Sequence, residues 1–126
     1  MPNVMSNENS IEIIFLGKNR DFATVWELQK KIHKEVSIGN ENDKILFLEH
    51  SPVFTLGFHG NENNLLIDCN KLADLGIKFY KIDRGGDITY HCPGQMVAYF
   101  IINLRKRGYG VKEFVRRLET AVINVC

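Results

Sequence analysis

Long apolar runs, paired cysteines and a surplus of either charge are all missing from this 126-residue chain. The longest apolar stretch, Met96 to Ile102, falls far short of the roughly 20 residues that span a bilayer, and no basic start leads into an apolar leader. No membrane partner is expected. With a formal net charge of +1, no broad positive field exists to hold nucleic acid, and an anionic partner must be met by a local patch. Three cysteines, Cys69, Cys92 and Cys126, are odd in number and irregularly spaced, which argues against a disulfide framework and predicts free thiols in a reducing, cytoplasmic compartment. A composition of 44% hydrophobic and 25% charged residues is that of an ordinary globular protein, and nothing in it argues for intrinsic disorder.

Along the chain, polar, Asn-rich residues 1–10 predict a loose tail, and 11–126 read as part of a single domain. Ile11 to Leu16 predicts a strand and Gly17 to Arg20 a turn. Asp21 is then a candidate N-cap for an amphipathic helix carrying Phe22, Val25, Trp26, Gln29, Ile32, His33 and Val36 on one stripe. Lys44 to Glu49 has the continuous apolar character of a strand buried on both faces. Further strands are expected over Val53 to Leu56, Ile77 to Ile82, Asp87 to His91 and Gln95 to Leu104, with a loop at Gly57 to Asn64 and a turn at Leu72 to Gly76. The chain finishes on a second amphipathic helix with Val111, Phe114, Val115, Leu118, Val122 and Val125 on its stripe. That stripe is still running at Cys126 without a capping Gly or Asn, so the expectation is a fold truncated at its C-terminus, against the blander account of a terminal helix that frays.

The densest chemistry lies in Arg84 to Gln95, RGGDITYHCPGQ. Gly85 and Gly86 can reach backbone angles closed to other residues and let a ligand lie against their peptide groups, so their amides are candidates to face an acyl carbonyl. Strand alternation puts Asp87, Thr89 and His91 on one face and Ile88 and Tyr90 on the other. Arg84, beside two glycines, is expected to be exposed rather than core. On pattern alone a Gly-Gly hairpin turn before a half-buried strand accounts for the segment slightly better than a ligand site does.

The run RGGDITYHCPGQMVAYFIINL resembles the signature of the octanoyl-(acyl carrier protein):protein octanoyltransferases, commonly Arg-Gly-Gly-x-Val-Thr-Tyr-His-Gly-Pro-Gly-Gln followed by an apolar strand. Leu46 to Gly57, LFLEHSPVFTLG, is similar to the same family's Leu-x-x-Glu-His-x-Pro-Val-Tyr-Thr-x-Gly block, and GVKEFVRRLETAVINVC to its following helix. Cys92 stands where the family usually has Gly. Lipoate-protein ligases share the fold but show a Ser-Gly-Gly-Gly run and an Asp after the His, and Arg84 to Cys92 has neither.

The resemblance implies an α+β fold, a mixed sheet flanked by helices like that of biotin and lipoate protein ligases, class II synthetase-like. It implies an octanoyl chain bound beneath Arg84, Gly85, Gly86, Asp87, Ile88, Thr89, Tyr90 and His91. It also implies transfer of that group from octanoyl-acyl carrier protein to a lysine of lipoyl domains, those of 2-oxoacid dehydrogenases and the glycine cleavage H protein, without a cofactor. In the family a cysteine in a Pro-Cys-Gly context forms the thioester and a lysine in a Lys-Ile segment manages protons; no residue of this sequence matches either. The alternatives are a noncatalytic module that binds an acyl chain or carrier protein, and a lipoate-protein ligase-like enzyme.

Cys92 is the one cysteine near a base, but neighbours on a strand point to opposite faces, so a His91–Cys92 dyad is disfavoured. Cys69 in an Asp-Cys-Asn turn and Cys126 at the chain end read as bland thiols. His50, His59 and His91 lack the paired spacing of a zinc site, and no metal is expected. His33 is expected to pack, His59 to be solvated, and His50 with Pro52 to shape a turn. Arg105, Lys106, Arg107, Lys112, Arg116 and Arg117 form a basic cluster, either a solvated face or, given the family's acidic carrier protein, its dock.

Overall fold

The computed structural model describes residues 10–126, so the tail expected over 1–10 lies, Ser10 apart, outside the described residues. The first strand, β1 (Ile11–Arg20), leads into helix α1 (Phe22–Ser37) and then strand β2 (Asp43–His50), which lies parallel to β1. Asp21 caps α1 as expected, its carboxylate accepting the Thr24 amide at 3.1 Å. Residues 17–20 do not turn away. They stay in β1 through two register shifts, with Gly17 at φ 95° and Asn19 at φ 54° absorbing the irregularity, because pairing of Gly17 with Leu48 and Arg20 with His50 outweighs the local turn signal.

Strand β6 (Val97–Ile101) pairs antiparallel with the other side of β2, giving a three-stranded sheet in the order β1-β2-β6. One face of that sheet holds the core: Leu46, Leu48 and Ile101 against Val25, Ile32 and Val36 of α1. His33, expected to pack, is exposed, since Ile32 and Val36 already fill the contact and the imidazole falls just outside the stripe. The opposite face is barely covered, with Ile13 67% and Phe15 59% exposed.

A second sheet has the order β4-β3-β5, in which β3 (Val53–Leu56) pairs parallel with β4 (Lys78–Lys81) and antiparallel with β5 (Ile88–His91). The segment between β3 and β4 contains a single 3-10 turn at Glu62–Asn64 and a short helix, α2 (Cys69–Asp74), capped by Asp68, where only a turn was expected. Leu72, 1% exposed, anchors that helix, and Gly76 closes it at φ 71°. Strand β6 ends earlier than the apolar run, because Asn103 caps helix α3 (Leu104–Arg107) and its amide donates to the buried carboxylate of Asp43 at 2.9 Å. Arg107 Nε also reaches Asp43, at 2.6 Å, so half of the basic cluster's arginine charge at this end is spent inside the protein. Helix α4 (Val111–Val125) touches the sheet through Phe114 and Phe100, whose rings are 6.0 Å apart, and has no buried residue.

Candidate active site

The two sheets and the N-terminal half of α1 enclose a cavity of about 390 Å³, within the roughly 300–1,000 Å³ of ordinary ligand pockets. Helix α1 supplies Phe22, Trp26 and Gln29; β6 supplies Val97 and Tyr99; the second sheet supplies Thr55, Thr89 and His91; and Ile82 to Arg84 close one side. A wider groove of about 800 Å³ beneath the Gly57–Asn63 loop adjoins it, sharing Trp26, Ile82 and Asp83.

Of the eight residues singled out in the sequence, Arg84, Thr89 and His91 line this cavity; Gly85, Gly86, Asp87, Ile88 and Tyr90 do not. Alternation along β5 explains part of the division. Thr89 and His91 sit opposite Thr55 and Val53 on the inner face, whereas Tyr90 stacks on Phe54 on the outer face with ring centres 4.6 Å apart. Asp87 leaves the row altogether: its carboxylate accepts the Asn61 amide at 3.0 Å and also binds Asn64, fastening the loop after β3.

Arg84 is half-buried rather than exposed. Its Nη2 donates to the Thr55 carbonyl and hydroxyl, each at 2.8 Å, and to the Asp87 carbonyl at 2.9 Å, while Nη1 donates to the Gly85 carbonyl at 2.7 Å. The guanidinium's donors are thus turned inward to hold the Arg84–Asp87 loop in shape. Gly86 adopts φ 87°, open to glycine but strained for other residues. Among the described residues the Gly85 and Gly86 amides donate no hydrogen bond.

Several residues that build the site were not singled out from the sequence. His50, read as part of a turn, ends β2 with 0% exposure, its Nε2 2.7 Å from the Tyr99 hydroxyl and its ring centre 5.5 Å from that of His91. Burial, then the charge of His91, holds its pKa down to about 4, so the ring is neutral at physiological pH. Burial also pushes the Tyr99 phenol up to about 12, against smaller pulls from Gln29 and Arg84, so it keeps its proton. Thr55 is fully buried, and Gly57 packs directly on the Arg84–Gly86 backbone. The available signal was the Leu46 to Gly57 block, which contains His50, Thr55 and Gly57.

The thiols stand apart from the cavity. Cys69 and Cys126 are exposed, Cys92 is half-buried, and none lines the cavity wall. His91 Nδ1 lies 2.6 Å from Gln95 Oε1, which can only accept, so Nδ1 carries a proton there. Among the described residues no three His, Cys, Asp or Glu side chains converge to hold a metal.

A family model described as the lipoyl protein ligase A/B catalytic domain matches residues 21–126. The chain belongs to that family. Within it, the chain is 44% identical over 110 residues to an octanoyltransferase of Bacteroides fragilis and 50% identical over 110 residues to that of Bacteroides thetaiotaomicron, each match covering 83% of this chain. An octanoyltransferase of Dictyoglomus thermophilum is 46% identical over 104 residues, 82% of this chain. These matches cover 50%, 48% and 43% of the relatives' own lengths, so the chain spans about half of each. Two solved structures share the fold. One is a T. acidophilum protein assigned as a lipoate protein ligase and solved with lipoic acid, at TM-score 0.54 and 16% identity over 68% of this chain and 34% of that one. The other is P. falciparum LipL1 in complex with lipoate, at TM-score 0.51 and 12% identity over 66% of this chain and 28% of that one. The α+β ligase-type fold and the octanoyltransferase family expected from the sequence are therefore those of this chain.

Proposed function

We propose that this chain forms the acyl-holding part of an octanoyltransferase that moves an octanoyl group from octanoyl-acyl carrier protein to a lysine of lipoyl domains, in the cytoplasm. The observation that carries the reading is the cavity between α1, β6 and the second sheet, with Phe22, Ile82 and Val97 offering apolar wall to an alkyl chain and Thr89 and His91 offering polar groups. Family membership and the octanoyltransferase relatives support it. Lipoyl domains of 2-oxoacid dehydrogenases and the glycine cleavage H protein are the proposed acceptors. Arg105, Lys106 and Lys112, exposed and without a salt bridge among the described residues, are the proposed contacts for an acidic carrier.

The transfer runs in two exchanges. A cysteine thiolate attacks the octanoyl carbonyl and the carrier's thiol leaves with a proton; the acceptor amine then attacks the new thioester, forming the amide and regenerating the thiol. None of the three cysteines lines the cavity, which supports a reading in which the 126 residues supply acyl binding and not the nucleophile. The same fact favours, for these residues taken alone, a noncatalytic acyl-binding role.

The test is calorimetric titration of the chain with S-octanoyl-N-acetylcysteamine. Saturable binding is expected, and Val97→Trp, which fills the cavity, should abolish it. Binding that survives Val97→Trp in a folded chain would place the acyl group elsewhere and sink the assignment.

A further inference from the structure

The His50–Tyr99 pair has one odd property. Every atom of the His50 ring is out of contact with water, yet among the described residues Nδ1 makes no hydrogen bond, while Nε2 lies 2.7 Å from the Tyr99 oxygen. The Arg20 carbonyl lies near enough to favour a proton on His50, but it accepts the Ser51 amide at 2.9 Å and makes no hydrogen bond of good geometry with Nδ1.

A neutral imidazole carries one proton and one lone pair, so two tautomers compete. With the proton on Nδ1, a buried N–H would be left without an acceptor, which folded proteins almost never tolerate. With the proton on Nε2, the orphan is a bare lone pair, which they tolerate more readily. The second tautomer is therefore the stable one, and it sets the direction of the bond: Nε2–H donates and the Tyr99 oxygen accepts. Tyr99 must then direct its own proton elsewhere. The residue lines the cavity beside Gln29, whose side-chain amide lowers the phenol's pKa as a donor to its oxygen does, so an acceptor inside the cavity is the partner open to that O–H.

We infer that Tyr99 is the hydrogen-bond donor to the acyl carbonyl oxygen, and that His50 is the positioning residue that turns the phenolic proton into the cavity. A retained phenolic proton, from burial of Tyr99, fits this role. The opposite tautomer would point the same proton at His50 and leave the carbonyl without it. Because the carbonyl oxygen gains negative charge as a nucleophile adds, a donor placed there assists acyl transfer as well as binding. The inference rests on the acyl-cavity reading above and adds an atom-level role to it.

Two measurements test it on the 126-residue chain. The first needs no ligand: the ¹⁵N shifts of the His50 ring should show Nε2 protonated and Nδ1 bare, and the reverse pattern would overturn the inference. The second compares S-octanoyl-N-acetylcysteamine with S-octyl-N-acetylcysteamine, a thioether of the same length without the carbonyl. The thioester should bind about fivefold more tightly, the worth of one hydrogen bond. Tyr99→Phe should bring the two affinities together without weakening the thioether, His50→Leu should narrow the gap, and His50→Gln, which keeps an N–H near the Nε2 position, should restore it. A gap unchanged in folded Tyr99→Phe refutes the role of Tyr99 while leaving the acyl site standing. If neither compound binds wild type, the acyl site itself fails and this inference falls with it.

Discussion

Gly57 lies so close to Gly86 that a β-carbon on Gly57 would overlap the Gly86 carbonyl oxygen. The amide of Gly57 also donates to the Asp87 carbonyl at 3.0 Å, and that of Phe58 to the Arg84 carbonyl at 2.9 Å. Two loops far apart in sequence are therefore joined backbone to backbone. Gly57→Ala should force them apart and cost about 1–3 kcal/mol of stability, as overpacking does. Chemical denaturation reads this directly. An alanine chain as stable as wild type would mean that the loops are not in contact in solution.

Arg84→Ala should destabilise the fold rather than only weaken a ligand, because it strips donors from the buried Thr55 and from two loop carbonyls. Roughly 1–3 kcal/mol is expected. Gly86→Val should cost a similar amount, since φ 87° is strained for a β-branched residue. Melting curves of the two variants check both; an Arg84→Ala chain with unchanged stability would return the guanidinium to a purely ligand-facing role.

His50 makes stability fall as pH falls. An unfolded histidine titrates near 6.5, while burial in the folded chain holds His50 to about 4. Between these values the unfolded state binds a proton that the folded state does not. The cost therefore grows as pH drops from about 6.5 to about 4 and reaches on the order of 3 kcal/mol. Asp21, lowered to about 2 chiefly by its bond with Lys78, contributes stability that is lost only below that window. Urea unfolding at pH 7, 6 and 5 should show the slope in wild type and much less of it in His50→Gln; equal slopes would show that His50 does not titrate as described.

The isolated chain should transfer no octanoyl group from carrier protein to a lipoyl domain, because no thiol faces the cavity. Intact mass of the lipoyl domain checks this. Turnover that disappears in Cys92→Ala would instead promote the half-buried Cys92 to nucleophile.

Legibility followed the range of the forces. Helix α1, its Asp21 cap and the apolar β2 were readable because local periodicity and burial agreed. The continuation of β1 past Gly17 was not, since it depends on pairing with β2, a partner set by tertiary structure. At the site, alternation along β5 separated Thr89 and His91 from Tyr90, but nothing local told that Asp87 would fasten another loop or that Arg84 would bind Thr55. His50 and Tyr99 were invisible as a pair. They are 49 positions apart, and a histidine before Ser-Pro looks like a turn until β2 and β6 are laid side by side.

The two sheets are joined by short covalent links: Ser51 and Pro52 between β2 and β3, and residues 92–96 between β5 and β6. Across the seam the cavity replaces packed side chains, so an alkyl chain lying there would serve as the missing core between the layers. Occupancy and rigidity then become one property. A chain held in the seam would add interior packing that the protein's own side chains do not supply.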